Sequence, residues 1–281
     1  MKLAPPSLMS CYAEARNGTQ VLGQGTAFLV RHQGQGWLVT NWHVAAGRNP
    51  FTGTALHSSL ATPDHLVIKA PVPTSGDVAF TDVKVPLLDR DGYPLWLEHP
   101  SYARHVDAVA IPMETPPATY AWTTLGRGTP TLLPYDLLDK STPEGLLAGV
   151  AQSVSIIGFP FGRTGGLQAL PIWVNGSVAT ELDVDFDDRP CFLIDSRTRT
   201  GQSGSPVIVY SGGGGAALAG GGTGFFTGPV WRLLGVYSGR INDSSDLGFV
   251  WKSRAILEIV TAGLSGNGDM IGPQQPPRTE S

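Results

Sequence analysis

Three short segments of the chain carry residue types that together can perform nucleophilic acyl transfer. They are Thr-Asn-Trp-His-Val at 40–44, His-Val-Asp-Ala-Val at 105–109 and Gly-Gln-Ser-Gly-Ser-Pro at 201–206. A serine hydroxyl is a weak nucleophile at neutral pH, so a neighbouring imidazole must take its proton during attack. The imidazole in turn needs a carboxylate that holds one tautomer and stabilises the positive charge. The segments therefore predict Ser203 as the nucleophile, His43 as the general base and Asp107 as the residue that orients His43.

The residues around Ser203 and Asp107 agree with these roles. Gly201 lies where the chain must turn tightly, and glycine adopts such conformations without a steric penalty. The turn would place the N–H groups of Gly201 and Ser203 side by side as a two-donor oxyanion hole. Asp107 lies among apolar residues, and a carboxylate buried there needs a partner.

Each motif alone has a simpler interpretation. A Gly-x-Ser-Gly-x-Pro segment can be an ordinary turn, and a histidine after a strand can be a hydrogen-bonded core residue. The three motifs in this order, each in the local context that its role needs, favour a protease-type triad over both alternatives.

The elements that must position these residues are short strands. The 281 residues include 36 glycines and 23 prolines, and 41% of the chain is hydrophobic. This is enough for one large core or for two small barrels that share an interface. Strong helical periodicity is confined to the C-terminal end, at Ser253–Ala262, and the remaining pattern indicates an all-β architecture. The predicted strands are Gly25–Arg31, Gly36–Asn41, His65–Lys69, Val106–Pro112, Ser153–Gly158, Ile172–Thr180, Cys191–Asp195, Pro206–Tyr210 and Trp231–Ser238.

The three motifs resemble those of the trypsin-like serine proteases of the chymotrypsin fold. The histidine motif is similar to that of the HtrA-like proteases, a bacterial and intracellular branch, and the serine motif is similar to the family's nucleophile motif. The resemblance spans roughly residues 19–263. It implies two six-stranded β-barrels with a short C-terminal helix and a site in the cleft between them. It also implies a serine endopeptidase that cleaves protein or peptide substrates.

The resemblance divides the chain into two halves. Residues 1–120 would form the N-terminal barrel with His43 and Asp107, and residues 121–263 would form the C-terminal barrel with Ser203. The boundary is expected within Thr115–Thr131. The glycine-rich segment Ser211–Gly224 predicts a flexible surface loop. Residues 264–281, rich in glycine, proline and glutamine, predict a disordered tail.

Departures from the family pattern bear on regulation. Secreted members carry an aspartate before the nucleophile, which pairs with a new N-terminus after zymogen cleavage. This chain has Gln202 at that position and no Ile-Val-Gly-Gly activation site. Activity is therefore expected to be constitutive, or controlled by loop ordering or by a regulatory protein partner. The HtrA-like proteases usually continue into a PDZ domain, which is not expected in the short sequence after the predicted helix.

The resemblance places the pocket for the residue before the scissile bond between the segment preceding Ser203 and the strand at 235–240. It implies substrate contacts by Arg197, Thr198, Tyr237, Ser238, Gly239 and Arg240. Arg197 stands where a preference for Lys or Arg requires an aspartate, so strict tryptic cleavage is disfavoured. The arginines at 197, 199 and 240 would favour an acidic substrate residue unless they point to solvent. Thr198 and Tyr237 would equally line a neutral pocket, and the backbone of Ser238 and Arg240 would pair with an extended substrate.

Composition narrows the partners and the location. The formal net charge of −4 gives no general attraction to nucleic acid. No apolar run approaches the length of a membrane span, and the N-terminus lacks the apolar core of a signal peptide. Two cysteines, Cys11 and Cys191, cannot form a disulfide framework. The histidine spacing does not suit a metal site. We therefore expect a soluble cytoplasmic protein with no cofactor and no metal.

Two other functions compete with proteolysis. A catalytically silent relative on the same fold would keep the cleft as a peptide-binding module. An esterase of the α/β-hydrolase type is disfavoured because its Gly-x-Ser-x-Gly elbow, its Ser-Asp-His order and its alternating strands and helices are missing.

Overall fold

A computed structural model describes residues 3–73, 78–113, 133–137, 145–166, 169–242 and 244–266. The described chain is built mainly of antiparallel strands, with two α-helices and two short 3-10 helices at Pro5–Leu8 and Pro160–Gly162. The elements are β1 Ser10–Asn17, β2 Gln20–His32, β3 Gln35–Thr40, α1 Trp42–Ala46, β4 His65–Pro73, β5 Val78–Pro86, β6 Val109–Pro112, β7 Pro134–Asp136, β8 Ser153–Gly158, β9 Ile172–Val178, β10 Cys191–Asp195, β11 Pro206–Ser211, β12 Gly214–Ala217, β13 Thr223–Phe226, β14 Val230–Arg240, β15 Leu247–Lys252 and α2 Ser253–Ala262.

The N-terminal half forms one sheet in the order β5-β4-β1-β2-β3-β6, with β7 added parallel to β2. Side chains of β1 alternate, so that Cys11, Ala13 and Ala15 face the core. Within the described ranges β5 and β6 are not paired with each other. A connecting segment spans this gap, because Leu95 N–H bonds to Leu87 and Leu97 exchanges two backbone bonds with Ala110. The N-terminal half thus carries strands β1 to β6 in a seven-stranded sheet with β7, and a connecting segment bridges its two edges, which supports the predicted first barrel only in part.

A cavity of about 770 Å³ lies at this gap between β5 and β6. It is lined by Gln35, Trp37, Lys84, Val85, Pro86, Leu95, Ile111, Pro112 and Met113. All of these residues belong to the N-terminal sheet and its connections. The cavity is therefore separate from the segment that carries Ser203.

The C-terminal half is a closed barrel of six strands in the order β10-β15-β14-β11-β8-β9. Its interior holds fully buried side chains such as Ile156, Phe192, Val207 and Val250. This confirms the predicted second six-stranded barrel. The two halves are continuous, since one buried cluster joins Phe28 of β2 to residues of the second barrel and of α2.

Helix α2 confirms the predicted C-terminal helix over the same residues. Ile256 and Ile259 are buried against β14, β15 and β6, and Gly263 ends the helix in the left-handed conformation with φ 63°. Because β6 belongs to the first half, the helix packs against both halves. No helix in the described ranges is long and apolar enough to cross a membrane.

Two expectations about loops differ from the structure. The segment Ser211–Gly224 is not a plain surface loop, because β12 and β13 pair within it as a small hairpin. Glycine and alanine dominate this segment, and its one large apolar residue, Leu218, gives no strand pattern. The first residues of the expected tail also pair, since Leu264 and Gly266 share backbone hydrogen bonds with Glu98 and Trp96. The rest of that tail and the boundary at Thr115–Thr131 lie outside the described residues.

Candidate active site

Helix α1 holds His43 at the end of β3. The chain leaves β3 at Thr40 and begins the five-residue helix at Trp42, which ends at Gly47 with φ 64°. Asn41, fully buried, precedes this helix, and its side-chain N–H donates to the backbone carbonyl of Asp107 at 2.6 Å. The local turn of the chain is thereby tied to the segment that carries the carboxylate.

His43 and Asp107 form a doubly bonded pair. The ring Nδ1 lies 2.6 Å from Asp107 Oδ2, and the backbone N–H of His43 donates to Oδ1 at 2.9 Å. Asp107 is 2% exposed, whereas the His43 side chain is 22% exposed. A carboxylate accepts the bond, so Nδ1 carries the proton and Nε2 is left as the acceptor nitrogen. The ring is thus held in the tautomer that a general base needs.

Burial and pairing act in opposite directions on the pKa values of this pair. Burial lowers the pKa of His43, but the negative charge and hydrogen bond of Asp107 outweigh it, and the net pKa lies above the ordinary value of 6.5. Burial likewise raises the pKa of Asp107, yet the charge and bonds of His43, with a bond from Ser238, bring it below 3.8. Each residue therefore stabilises the charged form of the other.

Strand β14 supplies a third partner for Asp107. The Ser238 hydroxyl donates to Asp107 Oδ2 at 2.5 Å, and the Ser238 carbonyl accepts a bond from Ser203 Oγ at 3.0 Å. One residue of β14 thus contacts both the carboxylate and the candidate nucleophile. The sequence predicted Ser238 as a substrate contact and gave no signal for its bond to Asp107.

The turn that carries Ser203 depends on two glycines. Gly201 has φ 95° and Gly204 has φ 84°, values that side chains rarely adopt. A Cβ on Gly201 would lie 2.4 Å from the carbonyl oxygen of Phe159, and one on Gly204 would lie 2.0 Å from that of Thr26. Among the described residues, the backbone N–H groups of Gly201 and Ser203 have no acceptor. The turn therefore carries two N–H groups without an acceptor in the described structure, and their role as an oxyanion hole stays a prediction.

Thr26 of β2 anchors this turn from the other half of the molecule. Its N–H donates to the carbonyl of Ser203 at 2.8 Å, and its hydroxyl donates to the carbonyl of Gly201 at 3.0 Å. The same hydroxyl accepts a bond from Phe159 N–H at 3.3 Å. The sequence offers no local signal for Thr26, because its partners lie far along the chain.

Gln202 folds back onto the start of the turn. Its side-chain Oε1 accepts from Arg199 N–H at 2.9 Å, and its own N–H donates to the Arg199 carbonyl at 3.2 Å. Gln202 is fully buried, and its Nε2 has no hydrogen-bond partner in the described structure. The turn is therefore held by an internal polar contact at the position where secreted relatives carry an aspartate.

The predicted substrate contacts lie on both sides of Ser203. Arg197 is exposed, whereas the Arg199 guanidinium donates to the Thr198 carbonyl and lies 3.8 Å from Asp246. Thr198 is buried and bonds through its hydroxyl to that of Tyr237. On β14, Gly239 and Arg240 pair with Phe249 and Gly248 of β15. The structure thus brings the segment at 197–199 and strand β14 together beside Ser203.

Neither the cysteines nor the metal-ligating residue types form a second candidate site within the described residues. Cys11 and Cys191 are free and buried, and burial raises the pKa of their thiols to about 12 and about 11. Such thiols carry little thiolate at neutral pH. No group of three or more histidines, cysteines and acidic residues is arranged to hold a metal ion within the described ranges.

A barrel-based fold with a paired histidine and aspartate beside a serine turn defines a hydrolase of the serine protease class. The model of the trypsin-like peptidase domain matches residues 25–213, about two thirds of the chain. The chain therefore belongs to the trypsin-like peptidase family, as the motifs predicted, and is a serine protease.

Comparison with solved structures finds distant similarities. The active form of the protease Rv3671c from M. tuberculosis is 15% identical, with a TM-score of 0.45, over 96% of this chain and 84% of that one. A serine endoprotease from Yersinia pestis is 10% identical, with a TM-score of 0.46, over 93% of this chain and 67% of that one. No curated protein matches the chain.

Proposed function

We propose that the protein is a serine endopeptidase that cleaves peptide bonds in protein substrates through an acyl-enzyme on Ser203. His43 acts as general base and then as general acid, and Asp107 orients His43. The N–H groups of Gly201 and Ser203 stabilise the oxyanion. The observation that carries the proposal is the His43–Asp107 pair, because it engages Nδ1 and leaves Nε2 as the nitrogen that accepts a proton.

The proposed reaction follows from these positions. Ser203 Oγ attacks the peptide carbonyl while its proton passes to His43 Nε2. The developing oxygen charge is met by the two free N–H groups of the turn. His43 then donates the proton to the leaving amine, and water, deprotonated by the same ring, hydrolyses the ester. Asp107 stays ionised throughout, since its surroundings lower its pKa.

An extended peptide is the substrate that suits β14. Residues Pro206–Ser211 of β11 pair with β14 only as far as Val236. Beyond Val236, Gly239 and Arg240 of β14 pair with β15 along one edge of the strand. The opposite edge of β14 runs past Ser203. A substrate that adds as a strand to this edge would place its carbonyl at Ser203.

The two free, buried cysteines are compatible with a reducing compartment. We therefore keep the cytoplasm as the proposed location. The proposed halves at 1–120 and 121–263 form a single protease unit, because Thr26 and Asp107 on one side bond to Ser203, Gly201 and Ser238 on the other.

One contact favours the alternative of a silent peptide-binding relative. Ser203 Oγ donates to the carbonyl of Ser238, and the described structure gives it no bond to His43. A single neutral hydrogen bond contributes about 1 kcal/mol, and rotation about the Cα–Cβ bond of Ser203 exchanges it. This weak contact does not decide between the two functions, and a direct test of Ser203 reactivity does.

The test is covalent labelling with a fluorophosphonate, which reacts with activated serines. Wild type, Ser203→Ala and His43→Ala are compared, and the labelled residue is mapped by mass spectrometry. Ser153→Ala serves as a control, since Ser153 lies on an exposed strand end away from the site. Labelling at Ser203 that is lost in the first two variants and kept in the control supports the proposal. A folded wild type without labelling contradicts a constitutive protease and favours the silent alternative.

A further inference from the structure

We propose that the cavity between β5 and β6 binds a small monocarboxylate with an apolar body, such as a medium-chain fatty acid, and that Lys84 pairs with its carboxylate. The described residues that line this cavity all belong to the N-terminal half, so the site is independent of Ser203 and of the proposed function. Its volume of about 770 Å³ lies within the range of pockets that hold small molecules.

The walls of the cavity are mainly apolar. Val85 and Ile111 are buried members of the cluster inside the first barrel, and Met113 packs against that cluster. Leu95 and the ring of Trp37, both half-buried, add to the apolar lining. Removing the apolar surface of a ligand from water is favourable. An alkyl chain or an aromatic ring therefore suits this space.

The strand edges that bound the cavity disfavour a peptide strand as its ligand. The N–H of Leu87 points to the side of β4, so by alternation Pro86 faces the gap. The N–H of Met113 points toward β3, so Pro112 faces the gap from the other side. Proline has no N–H, and neither position can donate a hydrogen bond to an added strand. A small molecule therefore fits this gap better than an extended peptide.

Lys84 on β5 gives the cavity its charge. It is the one charged side chain among the described lining residues, and it forms no ion pair with a described residue. Burial raises the pKa of Asp64, yet its hydrogen bonds with His65 and Gly18 and the charges of His65 and Lys84 bring it below 3.8. The ion-pair partner of Asp64 is His65, so Lys84 acts on this carboxyl only at a distance. A single cation beside apolar walls suits a ligand with one negative charge.

The backbone of Lys84 adds a hydrogen-bond donor at the same place. Within the described ranges β5 is the last strand of its sheet and pairs only with β4. Lys84 has the orientation of Pro86, two residues further on, so its N–H faces the gap. The side-chain N–H groups of Gln35, by contrast, already donate to the carbonyls of Gly36 and Met113. Lys84 therefore offers a cation and a donor, both of which suit a carboxylate.

The experiment measures the binding of octanoate by isothermal titration calorimetry, with octan-1-ol as the uncharged compound of the same chain length. Wild type should bind one octanoate per chain and should bind octanol about tenfold more weakly, the scale of a hydrogen bond to a charged group. Lys84→Met should bind octanoate as weakly as octanol, and Lys84→Arg should restore the difference. Lys69→Met removes the same charge from the neighbouring strand β4 and should match wild type. Leu95→Trp, which fills the cavity, should abolish binding.

Each outcome decides for or against this site. Absence of saturable octanoate binding to folded wild type, or equal affinities for octanoate and octanol, would overturn the proposal. A loss in Lys69→Met as large as that in Lys84→Met would show a general effect of charge and would overturn it as well. Ser203→Ala should bind octanoate as wild type does, whereas loss of binding there would place the ligand at the nucleophile instead. Because Lys84 is exposed, its variants decide the matter even if Leu95→Trp does not fold.

Discussion

At the scale of single residues, the proposed mechanism depends on the charge balance between His43 and Asp107. The carboxylate accepts two bonds from His43 and one from Ser238. In the proposed mechanism it thereby fixes the ring and stabilises the imidazolium that forms during attack. Replacing Asp107 by asparagine should keep the shape but allow the wrong tautomer. We expect kcat/KM for a peptide substrate to fall by about 10⁴-fold, with Ser203→Ala as the reference for complete loss.

The pH dependence follows from the same pair. His43 must be neutral to act as base, and its pKa lies above 6.5 because Asp107 outweighs the effect of burial. Activity is therefore lost as pH falls through this raised value. In Asp107→Asn the effect of burial remains and the attraction is gone, so the acid limb of kcat/KM should move to lower pH. An unchanged limb would show that Asp107 does not control His43.

His43, Asp107 and Ser203 could be proposed as a triad from the sequence because each lies in a short motif whose neighbours suit its role. Thr26 and Ser238 were not predictable in their present roles. Their hydrogen bonds join segments distant in sequence, and no periodicity or turn pattern reports such contacts. Residue types reveal the chemistry that is possible, whereas the fold decides which groups support it.

At the scale of elements, β2 holds the nucleophile turn through Thr26. The hydroxyl of Thr26 bonds to the Gly201 carbonyl and to Phe159 N–H inside the protein. Thr26→Val keeps the branched shape and leaves both groups without this partner. We expect a loss of about 1–3 kcal/mol in unfolding free energy, measured by urea denaturation on a Ser203→Ala background. The fluorophosphonate reaction of Thr26→Val should also slow, because the oxyanion donors are no longer held. Unchanged labelling would show that the turn is positioned without Thr26.

The element that carries His43 has its own support. Glu98 is 5% exposed and accepts the indole N–H groups of Trp42 at 2.9 Å and Trp96 at 3.0 Å. Trp42 directly precedes His43, so Glu98 acts as a positioning residue. Glu98→Ala leaves two buried donors unpaired and should cost about 2–5 kcal/mol of stability. Glu98→Gln, whose carbonyl oxygen can accept both bonds as Oε1 does, should cost less. Equal losses in the two variants would contradict this assignment.

Strand prediction succeeded for most of the second barrel and failed for several other strands, among them β5 and β15, although Val250 and Trp251 of β15 are buried. The strands of the second barrel, from Ser153–Gly158 to Cys191–Asp195, follow the predicted ranges closely. Strand β1 was missed because its core-facing side chains are small, namely Cys11, Ala13 and Ala15. Hairpin β12–β13 was missed because β12 consists of glycine and alanine, and the two phenylalanines of β13 are adjacent and show no alternation.

At the scale of the whole molecule, the site exists only when both barrels pack together. The buried cluster that joins β2 and β6 to β11, β14 and α2 provides this packing. At the rim, the Arg189 guanidinium lies 5.5 Å from the ring of Phe51 and 5.8 Å from that of Trp251, and so links the loop after α1 to the second barrel. We expect labelling of Ser203 and tryptophan fluorescence to be lost at the same urea concentration. Labelling lost well before fluorescence would show that the site opens without global unfolding.

The whole-molecule claim is that this assembly hydrolyses internal peptide bonds. Its most direct test is digestion of a peptide library made from whole-cell protein, with new termini identified by mass spectrometry for wild type and for Ser203→Ala. We expect internal cleavage by wild type and none by the variant. Wild-type protein that reacts with a fluorophosphonate but produces no new termini would contradict the endopeptidase proposal.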